Sequence, residues 1–214
     1  MDKIKSAAIM FILVFMVSPG GAFAKEPIFS DDFKKEKLNE KWEWITPVEG
    51  PEYTIDTKRG VFIFSVPGGQ AFDHWSHIAS APQLSIKCPK GDWTFEAKLK
   101  LAESTTGEMF HAVLFVKFAD LDYYYWGLYM GTKLQLERSG TNNILSINYD
   151  SDEVWLQIKK ENSIYHWSYR ADEKDKWEEL GTAAEESEPE RIGLMIKTWR
   201  GTEVKVEFSN VKIY

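Results

Sequence analysis

Residues 92–101 read DWTFEAKLKL. Trp93, Phe95, Ala97, Leu99 and Leu101 fall on one side of an extended chain, and Thr94, Glu96, Lys98 and Lys100 on the other. That period of two marks an antiparallel strand with one dry and one wet face. The alternation recurs over residues 153–159, 163–169, 191–197 and 203–208, and residues 61–66 follow Gly60 in the same style. Residues 110–118 (FHAVLFVKF) are apolar on both sides apart from His111 and Lys117, as a central strand covered on both faces requires. The turn signals Pro67-Gly68-Gly69, Lys90-Gly91, Ser139-Gly140 and Arg200-Gly201 punctuate these runs at short spacing. About a dozen short strands without helical spacing select an all-β fold, a two-sheet antiparallel jelly-roll sandwich, because parallel crossovers need helices this chain lacks. No fixed-period repeat is present, which disfavours a propeller.

Residues 122–131 (DYYYWGLYMG) crowd five aromatic rings into one strand. Tyr123, Tyr125 and Tyr129 point one way, and Tyr124, Trp126, Leu128 and Met130 the other. One face is core. The other presents rings to solvent or a ligand, or is covered as well in a doubly buried strand.

The chain opens on an export signal: Lys3 and Lys5, the apolar run 7–17, and Ala22-Phe23-Ala24 as a small-residue cleavage site. Residues 1–24 are therefore expected to be a signal peptide and residues 25–214 one domain, secreted or periplasmic, with no membrane attachment after cleavage. Cys88 is the sole cysteine, so no intramolecular disulfide forms and the core carries stability. The formal charge of −7 without basic runs argues against nucleic acid and anionic membranes as partners.

Catalytic patterns are scarce. Glu186, Glu188 and Glu190 surround Pro189 in the only acidic block and read as a loop, and Asp150 with Asp152 reads as a turn. Metal pairing of His74 and His77 fails because residues three apart on a strand face opposite ways. No nucleophile elbow or phosphate-cradling glycine loop occurs. Residues 71–77 (AFDHWSH) hold a carboxylate, an imidazole and an indole after a flexible turn, which suits either a binding edge for polyhydroxylated ligands or a turn whose Trp75 plugs the sandwich end.

Residues 29–33 (FSDDF), 38–44 (LNEKWEW), 73–75 (DHW) with Ala81-Pro82, the tyrosine strand, 154–158 (VWLQI) and 191–194 (RIGL) resemble the concanavalin A-like lectin/glucanase sandwich, of the type found at the C-terminus of family 43 β-xylosidases. The resemblance implies two bent antiparallel sheets with a carbohydrate platform on the concave sheet or its rim, where Asp73, Trp75, Tyr124 and Trp126 match lining segments. It also implies a structural calcium near Asp31 and Asp32, with Asn210 standing where an acid is common; a solvated turn is the other reading of that pair. Residues 169–177 resemble a family turn but lack its glycine.

The expected function is an exported, non-catalytic carbohydrate-binding domain for a polysaccharide or oligosaccharide. Trp75, Tyr124 and Trp126 would stack on sugar rings, while Asp73, His74, Lys117 and Glu137 orient them through hydrogen bonds. Two other classes stay open: a glycoside hydrolase or lyase with an acid/base pair from different strands, such as Glu137 facing Asp73, and a protein-interaction module using the same exposed rings.

Overall fold

The structure, a computed structural model, describes residues 26–102, 109–141 and 143–214; the expected signal peptide lies outside them. Among the described residues eighteen strands form and no helix does. All strand pairs are antiparallel. The first sheet runs β16 (Glu178–Ala184), β15 (Ile164–Arg170), β14 (Glu153–Glu161), β9 (Trp93–Leu101), β18 (Val204–Ile213), β4 (Val61–Val66) and β3 (Glu52–Asp56), with β1 (Phe29–Asp31) joined to β18. The second runs β13 (Leu145–Asn148), β12 (Lys133–Arg138), β11 (Asp122–Tyr129), β10 (Phe110–Ala119), β17 (Arg191–Trp199), β8 (Gln83–Lys87) and β2 (Glu43–Ile45), with β5 (Ala71–Phe72) joined to β17. A small hairpin of β6 (His74–Trp75) and β7 (Ile78–Ala79) stands apart. This is the expected two-sheet sandwich.

The core is the space between the two inner faces. From the first sheet come Trp93, Phe95, Ala97, Leu99 and Leu101, the dry face anticipated from alternation, with Leu156, Ile158, Phe64 and Phe208. The second sheet supplies Ala112, Leu114, Val116, Tyr124, Trp126, Leu128, Leu194 and Ile196. Apolar area removed from water on both sides drives the packing, worth roughly 25 cal/mol per Å². Cys88 is buried here too, and burial pushes its thiol up to about 12.

Residues 150–152 form no strand, and the acidic block leaves β16 after Ala184 to run as a loop, both as expected. Two glycines shape the second sheet. A methyl on Gly127 would lie 1.9 Å from the Ala112 carbonyl oxygen, and one on Gly193 would lie 2.2 Å from that of Leu84. Neighbouring backbones pass too close there for any side chain. Gly127→Ala is therefore expected to destabilise the fold by about 2–3 kcal/mol, read as a lower midpoint in urea; an unchanged midpoint would show that the close approach is not required.

Candidate functional site

Alternation sends the odd-numbered residues of β10 and β11 to the outer face of the second sheet. His111 sits beside Tyr129 and Lys197, Phe115 beside Tyr125, and Lys117 beside Tyr123. The β6–β7 hairpin lies on this face. His74 packs its ring 4.3 Å from that of Tyr123, and its Nδ1 is 2.8 Å from the Tyr125 hydroxyl, which in turn contacts Ser139 Oγ at 2.7 Å. Ala81 closes with Val113, Phe115 and Met195 into a second, smaller apolar cluster, against which Trp75 rests. The hairpin root is tied down: Ser80 and Ala81 donate their N–H groups to the Asp73 carbonyl, and Asp73 N–H donates to Ser80 Oγ.

Beside the hairpin, a buried charge network bridges four strands. Lys197 on β17 is only 1% exposed, yet its ammonium reaches Glu137 Oε2 on β12 at 2.7 Å. Those strands are three places apart, roughly 14 Å at ordinary sheet spacing. The two side chains meet above β10 and β11. His111 Nδ1 lies 3.3 Å from the same carboxylate oxygen, and Gln135 Nε2 donates to Oε1 at 2.5 Å. Burial works against the charge on Glu137, but His111 and Lys197 outweigh it and hold the carboxyl well below the usual carboxylate range. Burial also pushes His111 down, and beside a carboxylate that can only accept, its Nδ1 is the donor. The ammonium completes its surroundings with ring faces: Tyr125 at 4.2 Å, Trp75 at 5.1 Å and Trp199 at 5.6 Å.

An open corner remains where the network ends. Asp73, Trp75, Tyr129, Glu137, Lys197 and Trp199 line a cavity of about 210 Å³. Three rings form its walls, with a carboxylate–ammonium pair at its base. Asp73 accepts the Trp199 indole N–H at Oδ2, 2.9 Å away, and its own neighbour's N–H, that of His74, at Oδ1. Such a corner can stack a flat apolar surface and offer charged hydrogen-bond partners to hydroxyl groups. Both carboxylates already serve neighbours. Glu137, held ionised, has no proton to give as a general acid.

The structure brings Asp73, Trp75 and Glu137 together at this corner, and corrects three other expectations. Tyr124 and Trp126 lie on the inner face: Trp126 is 0% exposed, with its indole donating to the Ser168 carbonyl, and Tyr124 packs on Trp167 and beneath Arg138. They share the parity of Leu128, which the core claims. His74 roofs the sheet and does not line the cavity. Lys117 lies six residues along β10 from His111, roughly 20 Å, where Asp120 and Glu190 neutralise it. The calcium expectation rests on Asp31, Asp32 and Asn210, which line one cleft. Asp31 accepts the Phe33 N–H and the Trp42 indole, Asp32 accepts the Lys34 N–H, and Asn210 donates to Ser209. Glu40, Lys35, Lys37 and Lys212 line the same cleft, and among the described residues no group of three or more His, Cys, Asp or Glu is placed to hold a metal. Asp31, Asp32 and the Asn210 carbonyl are the oxygens that would hold a calcium ion there.

Tyr129, Lys197 and Trp199 were not singled out from the sequence. Tyr129 shares the parity of Tyr123 and Tyr125, and Lys197 with Trp199 follows the alternation of residues 191–197 one step further. Their convergence depends on β17 pairing with β10, a register no local pattern reveals.

No family model matches the chain, and no curated protein does either. Solved structures share its fold. A xylan β-1,4-xylosidase from Bacillus halodurans superposes with a TM-score of 0.67 at 16% identity, covering 92% of this chain and 41% of that one. A functionally unknown protein from Saccharomyces cerevisiae gives 0.65 at 14% identity, over 81% and 96% of the two chains. The exoplasmic/lumenal domain of VIP36, bound to Ca2+ and Man2, gives 0.57 at 8% identity, over 86% of each. The chain thus spans about two fifths of the xylosidase. Identities this low establish the concanavalin A-like sandwich and nothing finer.

Two predictions follow from the network and its roof. Glu137→Gln leaves the Lys197 ammonium buried without a counter-charge and is expected to cost about 3–5 kcal/mol, with much of it recovered in Glu137→Gln/Lys197→Met; urea unfolding of the three proteins measures this, and a single-variant loss near zero contradicts it. Burial, aided by the Lys197 charge, lowers His74 from 6.5 to about 4. Between those values the unfolded chain binds a proton that the folded one refuses, so stability falls as pH drops from 6.5 towards 4. His111 acts in the same direction. Folding free energy followed against pH should be less steep in His74→Gln by up to about 1.4 kcal/mol per pH unit; parallel curves would show that His74 titrates normally.

Proposed function

We propose that this chain is an exported carbohydrate-binding domain whose site is the corner formed by Asp73, Trp75, Tyr129, Glu137, Lys197 and Trp199. The observation that carries the reading is the cavity itself: three ring walls around a buried ion pair, left open on an otherwise covered sheet face. Pyranose rings expose apolar C–H faces that stack on indole and phenol, while their hydroxyls pair with charged acceptors and donors. The fold supports the reading by analogy, since one structural neighbour is named as a xylosidase and another carries bound Man2.

Binding is favoured over hydrolysis by one specific feature. Glycosidic cleavage needs a protonated carboxyl to release the leaving group. Glu137 is clamped in its ionised form, and both oxygens of Asp73 already accept N–H groups. An exported destination agrees with the apolar leader and the acidic surface.

Titration calorimetry against xylan, glucan, mannan and peptidoglycan fragments tests the proposal. The expected result is binding to one class at sub-millimolar strength, roughly 4–5 kcal/mol, weakened about tenfold or more in Trp75→Ala and Trp199→Ala. Silence across the panel from a folded protein would overturn it. Release of reducing sugar that disappears in Asp73→Asn would replace binding by catalysis.

A further inference from the structure

The outer face of the second sheet is not an open trough. A long polymer lying across the strands would have to pass over Val113, Phe115, Tyr123, Tyr125 and Met195, and every one of these is buried. The β6–β7 hairpin occupies that path. His74 is wedged onto Tyr123 and bonded to Tyr125, and Ala81, itself without exposed surface, seats the return strand on Val113 and Phe115. The Asp73 carboxylate then reaches across to the Trp199 indole and fastens the hairpin root to β17. What remains is a corner closed on the hairpin side by Trp75 and by the Lys197 ammonium beneath it.

Size and charge narrow the occupant. At about 210 Å³ the cavity falls below the usual range of small-molecule pockets, about 300 Å³ upward. The walled part of the corner is about the size of one sugar ring. Asp73 and Glu137 set two negative charges against the single positive charge of Lys197, so an acidic sugar meets net repulsion. On the carbohydrate-binding reading above, we infer that the site is blind and takes the neutral terminal ring of a glycan chain, with the rest of the chain leaving to solvent; an internal stretch of a polymer has nowhere to run.

Chain length is the discriminating variable. Xylo-, cello- and manno-oligosaccharides, each from the disaccharide to the hexasaccharide, are titrated into the full chain, together with the polymers before and after partial cleavage by an endo-acting hydrolase. Glucuronic acid-capped xylo-oligosaccharides are included as the charged arm. The expected result is an affinity constant within about twofold across the lengths of the recognised series, a polymer binding capacity that rises in proportion to the new ends, and at least about tenfold weaker binding of the acid-capped ends. Affinity that climbs with every added unit to the hexasaccharide would overturn the blind site while leaving carbohydrate binding intact. Failure of every sugar to bind would overturn both. Affinity that becomes length-dependent in His74→Ala, with wild type flat, would support the hairpin as the barrier.

Discussion

The parity of two adjacent strands governs this molecule. In β10 and β11 the even-numbered side chains enter the space between the sheets, and the odd-numbered ones face outward. Because a strand's side chains alternate strictly, a slip of one residue would exchange the two sets entirely. Tyr124, Trp126, Leu128, Leu114 and Val116 would leave the core, and His111, Lys117 and Glu137's partners would enter it. The apolar inner set is large enough to make that slip prohibitive. Everything on the outer face follows from it.

A second constraint acts across the strands. Lys197 and Glu137 lie on β17 and β12, with β10 and β11 between them, yet their charges meet at 2.7 Å. The pair is fully equipped, with Gln135 and His111 on the carboxylate and ring faces around the ammonium. Buried ion pairs seldom add net stability, but they penalise misalignment because each charge loses its partner. Here the pair fixes the register of four strands and also sets the polar base of the open corner. The hairpin does the complementary work, covering most of the remaining outer face with His74, Trp75 and Ala81.

Strand identity was legible because it is local. Residues 92–101 and 110–118 carry their burial pattern in their own alternation, and Asp150 to Asp152 and the acidic block carry their turn chemistry. Sidedness was only half legible. The split of the tyrosine strand into two faces is as expected, but the aromatic platform lies on the face opposite to the one the resemblance implied, because Tyr124 and Trp126 share the core parity of Leu128. His111 and Lys117, the two polar residues of the neighbouring strand, share the parity of Tyr123 and Tyr125, and that already marks the outer face. Lys197 and Trp199 were illegible for a different reason: they reach the site through the pairing of β10 with β17, strands far apart in sequence, and pairing order is a tertiary fact. Asp31 shows a third kind of gap. The resemblance suggested a metal there, and no local pattern shows that Asp31 also anchors the Trp42 indole and the Phe33 N–H.

The most direct measurement is hydrogen exchange at the tryptophan indoles, followed by two-dimensional NMR of the ligand-free protein in D2O. Trp126 donates to the Ser168 carbonyl from a site with no exposed surface, whereas Trp75 is half-buried on the outer face. The account predicts that the Trp126 indole signal persists long after that of Trp75 has exchanged away. Exchange of Trp126 as fast as Trp75 would contradict it, since the rings would then face the opposite way.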